Sequence, residues 1–337
     1  MAWQDQLRGD SVSWLLEHPD PGVRYLALRD LADRPAGDGE LAAARREAHE
    51  RGPIATVLDN MAPEGYWERE GPGYGPKYRS TVWAMILLAQ LGATIGEDER
   101  LVRACDYVLD HALMPHGQFS YSRTSSSTIP CLHGNLCASL LALGNDDPRL
   151  VAAVDWMARS ITGEGIAPAG DRSTPRRWYA YHCGPLFACG PNNKLPCAWG
   201  AAKVMWAFAL WPAERRTPEV QRGIDAGVEF LLGTDPATAL YPSGWNDKPS
   251  GNWWKFGFPV FYVTDILQVV DALVGLGYGR DPRLANALAL IRDKQDEQGC
   301  WPLEYHYNSK TWINSGRKNA PNPWVTLRAL RVLKAVG

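Results

Sequence analysis

Residues able to do acid–base chemistry are concentrated at the predicted starts of apolar helices. Asp265 is the only carboxylate among these helix starts, and it follows Thr264. An apolar aromatic cavity would favour its protonated form, so that it could act as a general acid or base. The structural alternative is a first-turn acid beside a threonine cap. Tyr78, at the start of another such helix, is a second catalytic candidate.

Histidine and cysteine side chains supply the other candidates. His133 lies beside Cys131 at a helix start and could donate a proton or bind a metal, or it could be a packed, hydrogen-bonded histidine. Zinc needs about four ligands in a tetrahedral array. The spacing here is not Cys-x-x-Cys, so a zinc site, a catalytic thiol at Cys183 and merely buried cysteines all stay open. The densest cluster is His182, Cys183, Cys189 and Cys197, and the candidate zinc ligands are Cys183, Cys189, Cys197 and His133.

The chain is rich in large aromatic residues, with 15 Trp and 13 Tyr. Many lie in predicted loops, where they could line an apolar cavity, stabilise a cation or stack on sugars. Two cations lie on otherwise apolar helices: Arg79 could hold a diphosphate or pair with Asp265, and Lys203 could extend to solvent. The candidate substrate-binding residues are Arg79, Trp83, Tyr181, Trp245, Trp253, Trp254, Phe258, Tyr262, Trp312 and Trp324.

Composition and charge restrict the class of protein. Hydrophobic residues make up 45% of the 337 residues, enough for a sizeable core. The formal net charge of −2 argues against a nucleic-acid or membrane-surface binder. There is no signal-peptide pattern and no apolar run long enough to span a bilayer, which favours a cytoplasmic location. Seven dispersed cysteines favour reduced thiols over a disulfide scaffold.

A repeating pattern of helices determines where these residues lie. In each unit an amphipathic helix precedes an aromatic turn, a loop and a more apolar helix that closes on Leu-Gly. The units recur at roughly fifty residues, a spacing typical of helical repeats. Three units contain Gly65-Tyr66-Trp67, Gly117-Gln118-Phe119 and Gly299-Cys300-Trp301. The pattern predicts one all-α domain over residues 1–337, a toroid of about six helix pairs with a central pocket, in which helices of residues 1–60 complete the ring.

The apolar helices should form the inner ring, with their starts at one mouth. Free N–H groups and helix dipoles there would favour an anionic ligand or intermediate. Cys131 and Cys197 each open an inner helix of consecutive units, and the loop before Cys197 must approach the same mouth. We therefore expect one rim to hold Cys131, His133, Cys183, Cys189 and Cys197, near Asp265.

The segment KQDEQGCW, residues 294–301, resembles the Gln-Trp repeat of the squalene cyclase and prenyltransferase β-subunit superfamily. The resemblance implies an (α/α)6 toroid whose apolar cavity opens at the N-terminal ends of the inner helices. It also implies binding, cyclisation or transfer of isoprenoids. The chain lacks the Asp-x-Asp-Asp acid motif of the terpene cyclases and the Asp-x-Cys zinc pair of the protein prenyltransferases. The catalytic residues of those enzymes therefore have no counterparts here.

Three functions are compatible with these residues. The first is an enzyme that acts on an isoprenoid-like apolar small molecule by acid–base chemistry, through cyclisation, isomerisation or dehydration in an aromatic-lined central cavity. The second is a carbohydrate-active enzyme similar to polysaccharide lyases, which would use Tyr, His and Arg with Trp subsites. The third is a non-catalytic module that binds a hydrophobic ligand or a protein. The sequence favours the first and names no protein partner.

Overall fold

The computed structural model describes residues 2–124, 126–168, 170–174, 177, 183–246 and 248–337, and there the chain is built mainly from helices. The α-helices are α1 Ser11–Leu16, α2 Pro21–Asp30, α3 Gly39–Glu50, α4 Pro53–Leu58, α5 Thr81–Leu91, α6 Glu99–His111, α7 Pro130–Ala142, α8 Arg149–Thr162, α9 Ala198–Leu210, α10 Pro218–Leu232, α11 Ile266–Gly275, α12 Ala285–Asp293 and α13 Pro323–Val336. Short 3-10 helices cover Trp3–Gln6, Pro185–Phe187, Gly190–Asn192, Ala213–Arg215 and Pro282–Leu284. Two-residue strands β1 Gly257–Phe258 and β2 Tyr305–His306 pair in parallel.

Six apolar helices form a closed inner ring in the order α2, α5, α7, α9, α11 and α13, with α13 packed on α2. The last junction, between α2 and α5, is close: a methyl group added at Gly92 would lie 2.6 Å from Leu26 Cδ2. These helices are apolar on most faces because they are enclosed on most faces. The α7 helix buries every residue from Pro130 to Leu140.

The other long helices pack around this ring. The α6, α8, α10 and α12 helices each contact the inner helix that precedes them in the chain. In addition, α3 contacts α2, and α4 contacts α5. Their burial is one-sided: α6 turns Leu101, Cys105 and Val108 inward. In the part of the chain that the structure describes, helices α1–α13 thus form six outer–inner units, with α3 and α4 together as the outer part of the second unit, and the predicted all-α toroid is confirmed.

In two units the aromatic turn ties an outer helix to the next inner helix. The Trp67 indole donates to Val57 O at 2.8 Å, and its backbone N–H donates to Thr81 Oγ1 at 3.1 Å. Trp301 repeats both bonds, with Ile291 O at 2.7 Å and Thr326 Oγ1 at 3.0 Å. The Gly-x-Trp pattern is therefore a connector that satisfies buried backbone groups.

No helix in the described parts of the chain is both long enough and apolar enough to cross a membrane.

A candidate active site at one mouth of the ring

A cavity of about 600 Å³ lies where the inner helices begin. The residues at its wall come from the starts of α7 and α9, from the segment before α11, and from the loops that enclose this mouth. We call it the mouth cavity; its wall includes Tyr74, Cys131, Cys189, Cys197, Trp245, Trp253 and Tyr262.

Three cysteines meet in the wall of the mouth cavity. Cys197 is the N-cap residue of α9, and Cys131 is the second residue of α7. The Cys197 thiol lies between those of Cys131 and Cys189 and interacts with both. All seven cysteines of the chain are free thiols, and Cys197 is the one that is not buried.

The surroundings of Cys197 favour its thiolate. Interactions with the Cys131 and Cys189 thiols, then with the N–H groups of Gly200 and Trp199, lower the pKa of Cys197 well below its usual range, although its partial burial acts in the opposite direction. The same contact with Cys197, together with burial, raises the pKa of Cys131. A low-pKa thiol at a helix N-terminus is the kind of cysteine that acts as a nucleophile or a base.

Two tyrosines lie next to the thiols. The Tyr74 and Tyr262 rings are 5.9 Å apart between centroids. Burial raises the pKa of Tyr74 to about 12 and raises that of Tyr262 as well. The Tyr262 hydroxyl oxygen is shielded from solvent and forms no hydrogen bond of ordinary geometry with a described residue, although the Tyr74 hydroxyl lies close enough to interact with it. A protonated phenol in a cavity wall is suited to donate to a substrate oxygen.

Lys203 lies below the thiols, on the inner face of α9. It is fully buried, and its ammonium group donates to Thr264 Oγ1 at 2.8 Å and to Gln268 Oε1. Burial lowers the pKa of Lys203 to about 7. The sequence-based prediction that this side chain extends to solvent is wrong, because α9 belongs to the inner ring and presents Lys203 to the interior.

Asp265 has a structural position. Its carboxylate binds Arg328 through two contacts of 2.9 and 2.7 Å and caps α11 by accepting from Gln268 N at 2.8 Å. The side chain is 3% exposed. Both oxygens are committed, so the geometry fits the capping alternative and not a general acid facing a substrate. The pairing with Arg79 does not form; Arg79 pairs with Glu68 at 2.6 Å.

Both ring nitrogens of His133 also have hydrogen-bond partners. Nδ1 accepts from the Phe119 backbone N–H at 3.1 Å, and Nε2 lies 2.9 Å from Ala153 O. Burial lowers the pKa of His133 to about 4, so the ring is neutral near neutral pH. This histidine occupies the place that Thr81 and Thr326 have at the other aromatic turns. Neither nitrogen is free for proton transfer or for a metal.

The expected thiol cluster forms without Cys183. Cys183 is packed against Trp156 and Ile166 in a separate apolar cluster, and burial raises its pKa to about 12. Among the described residues, no group of three or more His, Cys, Asp and Glu side chains is arranged to hold a metal ion. The zinc site expected from Cys183, Cys189, Cys197 and His133 is therefore not formed by these residues; His182 lies outside the described residues.

The candidate substrate-binding residues separate into groups. Trp245, Trp253 and Tyr262 line the mouth cavity. Phe258 and Trp324, stacked at 4.8 Å and 7°, line a second cavity, to which all six inner helices contribute.

The remaining candidates in the described residues do not line either cavity, although Trp83 packs on Tyr262 with ring centroids 4.9 Å apart. Tyr78 and Trp83 pack against each other at 5.0 Å, and Arg79 stacks on Trp312 at 3.9 Å. The Trp254 indole donates to Ala237 O at 2.8 Å. Tyr181 lies outside the described residues.

Tyr74 and Asp271 are lining residues that the sequence analysis missed. Tyr74 lies in the glycine- and proline-rich loop before α5, where no periodicity identifies a cavity wall. Asp271 lies in the middle of α11 and faces the second cavity. A carboxylate within an otherwise apolar inner helix was the available signal for it.

No family model and no curated protein sequence matches the chain. Among solved structures, it is similar to an unsaturated glucuronyl hydrolase from Bacillus sp. GL1, described as responsible for the degradation of glycosaminoglycan, with 13% identity, a TM-score of 0.47 and coverage of 93% of this chain and 83% of that chain. It is also similar to the type II terpene cyclase MstE from Scytonema, with 14% identity, a TM-score of 0.31 and coverage of 87% of this chain and 96% of the cyclase. A variant of that cyclase holds its substrate, geranylgeranyl dihydroxybenzoate. Both similar proteins are enzymes, and the fold assignment for this chain comes from its own ring of helices.

Proposed function

We propose that this protein is an enzyme that isomerises an apolar, isoprenoid-like carbonyl compound by acid–base chemistry in the mouth cavity. One observation carries the proposal: the low-pKa thiol of Cys197 and the protonated hydroxyl of Tyr262 belong to the wall of the same cavity. The cavity volume of about 600 Å³ suits a small molecule, and its wall includes Trp253 and Ile129. Thiols and phenols in place of carboxylates fit the absence of an Asp-x-Asp-Asp motif.

The proposed reaction balances without a co-reactant. The Cys197 thiolate removes a proton from a carbon conjugated through a double bond to the substrate carbonyl. The Tyr262 hydroxyl donates a hydrogen bond to the carbonyl oxygen, where negative charge collects in the dienolate. The Cys197 thiol then returns the proton to a different carbon of the same system. The double bond has moved, and both side chains are again in their starting states.

The test is turnover of a panel of prenyl aldehydes, prenyl alcohols and prenyl diphosphates in deuterated water, followed by mass spectrometry. We expect isomerisation of an aldehyde with incorporation of deuterium at carbon. Cys197→Ser and Tyr262→Phe should each lower the rate by about a hundredfold or more, as removal of a general base or acid does. Cys300→Ala and Tyr278→Phe, outside the mouth cavity, serve as matched controls. No turnover and no thermal shift with any compound would overturn the proposal.

A carbohydrate-active function is the alternative, and one feature favours it. Trp245 is 71% exposed at the mouth cavity, whose lining also includes Lys77 and Lys248. An exposed indole with nearby ammonium groups suits an acidic sugar. In calorimetry with acidic oligosaccharides, this alternative requires saturable binding that Trp245→Ala removes. A module that only binds ligands would instead keep its affinity in Cys197→Ser and show no turnover.

A further inference from the structure

The second cavity extends from the start of α13 to the ends of α2, α5, α7 and α9. It has a volume of about 520 Å³, and every inner helix contributes to its wall. The segment from Phe258 to Tyr262 lies between the two cavities, since Phe258 and Val260 line the second and Tyr262 lines the first. Gln90 holds this segment in place with two hydrogen bonds of 2.8 Å to the backbone of Val260. The second cavity is therefore separate from the proposed active site.

The charged side chains of the second cavity are paired with one exception. Arg29 and Arg331 both bind Asp30, and Arg328 binds Asp265. Lys334 binds Asp33 at 2.5 Å. These contacts account for the arginines and for two of the three carboxylates in the wall.

Asp271 is the exception. Its carboxylate forms no hydrogen bond and no ion pair with any described residue, although it lines the cavity from the middle of α11. Arg331 and Arg328 act on it only at longer range. Burial raises the pKa of Asp271, since its negative charge is poorly solvated. A carboxylate in this position lacks a cationic partner.

Aromatic rings and helix ends add to the attraction of this cavity for a cation. Trp206 and the Phe258–Trp324 stack line the same cavity. Ring faces attract organic cations by about 0.5–2 kcal/mol each. Four inner helices, α2, α5, α7 and α9, meet this cavity at their last turns, where C-terminal carbonyl groups carry partial negative charge.

We propose that the second cavity binds a small organic cation, an alkylammonium compound whose charge pairs with Asp271 and whose apolar part contacts Trp206 and Trp324. Paired arginines leave no free cation in the described wall to attract an anion instead. This site does not depend on the function proposed for the mouth cavity.

Calorimetry with n-butylammonium and tetraethylammonium chloride tests the site directly. Butyrate and n-butanol are the matched anionic and neutral probes. We expect saturable binding of at least one cation with a dissociation constant of about millimolar or tighter, a range set by the few atoms of these ligands. We expect no binding of butyrate or n-butanol. Absence of cation binding, or equal binding of butyrate, overturns the proposal without any variant.

Variants then locate the site. Asp271→Asn should weaken cation binding by about tenfold or more, because it removes a charge-assisted contact in a partly buried site. Asp146→Asn, at an ion-paired carboxylate outside this cavity, should leave it unchanged, as should Cys197→Ser in the mouth cavity. Thermal melting confirms that each variant is folded. Equal affinity in Asp271→Asn and the unmodified protein would place the cation elsewhere and overturn the assignment.

Discussion

At the scale of single residues, the chemistry of the mouth cavity depends on how three thiols share their protons. Cys197 interacts with Cys131 and Cys189, and the interaction with Cys131 contributes most to its low pKa. Cys131 in turn has a raised pKa because of the same interaction and its burial. The reactivity of Cys197 is therefore a property of the cluster, and it should respond to changes at a neighbour that leave Cys197 in place.

Cys131→Ala tests this dependence. Removal of the Cys131 thiol destabilises the Cys197 thiolate, so the pKa of Cys197 should rise. The rate of alkylation by iodoacetamide, measured against pH on folded protein, reports it. In the unmodified protein we expect one fast thiol that already reacts below the usual cysteine range, about pH 8.5. In Cys131→Ala the midpoint should move upward, whereas Cys300→Ala should leave the profile unchanged. An identical midpoint in Cys131→Ala would contradict the shared-proton interpretation.

Asp265 contrasts with Cys197, because its carboxylate caps α11 and pairs with Arg328. Asp265→Asn keeps a capping oxygen but leaves Arg328 without its carboxylate in a pair that is 4% and 12% exposed. Breaking a buried pair costs about 3–5 kcal/mol, and we expect that loss in urea denaturation. The control is Asp98→Asn, at the more exposed pair with Arg100, which should cost less than about 1 kcal/mol. Thiol alkylation of the folded Asp265→Asn protein should remain normal; abolished reactivity would point to a role in the site.

These residues show which parts of the site sequence can predict. The convergence of Cys131 and Cys197 followed from their positions at the starts of successive inner helices. The presence of Cys189 in the cluster followed from the loop that precedes Cys197. The sequence could not assign Asp265, because a capping aspartate and a catalytic aspartate occupy the same position in a helix. The partner that decides between them, Arg328, lies 63 residues away on another helix.

At the scale of elements, the mouth cavity depends on the contact between α7 and α9. Gly134 makes this contact close: a methyl group there would lie 2.5 Å from the backbone of Lys203 and Val204. Gly200 makes a similar approach to Pro130, at 2.8 Å. The two helices that carry Cys131 and Cys197 are therefore held at a separation that only glycine permits.

Gly134→Ala should separate these helices. Because the methyl group would meet backbone atoms that cannot move alone, we expect a loss of about 1–3 kcal/mol in urea denaturation. Alkylation of Cys197 should also become slower at neutral pH, since its contact with Cys131 loosens. Gly39→Ala, in the first turn of α3 with nothing within 4 Å, is the control and should be neutral or stabilising by about 0.4–1 kcal/mol. Full stability of Gly134→Ala would show that the helices can shift without cost.

The helices were the part of the fold that the sequence predicted best. Apolar helices that close on Leu-Gly, as α5 does at Gly92, carry both their periodicity and their end signal locally. The loops differ, because their conformation depends on distant contacts. Asn192 is an example: its amide donates to Pro242 O and its oxygen accepts from Gly244 N, more than 45 residues along the chain. No local pattern encodes such a pairing, so the wall of the mouth cavity had to come from the structure.

At the scale of the whole molecule, the ring gives one chain two separate openings with different chemistry. The mouth cavity at the starts of the inner helices carries thiols and phenols, and the second cavity carries ion pairs and Asp271. The ring closes only where the last inner helix meets the first. There the Asp30 carboxylate of α2 accepts hydrogen bonds from Arg331 of α13 and from the adjacent Arg29. This seam joins residues about 300 positions apart, so closure requires both α2 and α13.

The closed ring predicts that the chain unfolds as one unit, as expected for a single domain. Each inner helix packs on two others, so opening the α13–α2 seam exposes apolar faces on both sides. Asp30→Asn removes a carboxylate shared by two arginines and should cost about 1.5–3 kcal/mol. Asp146→Asn, at an exposed pair with Arg215, should change stability by no more than about 0.5 kcal/mol. Hydrogen exchange measured by mass spectrometry distinguishes the models: in a single unit, Asp30→Asn lowers the protection of α7 and α9 as much as that of α2 and α13. Loss of protection confined to α2 and α13, with α7 and α9 unchanged, would show that the seam opens separately and that the ring is not one cooperative domain.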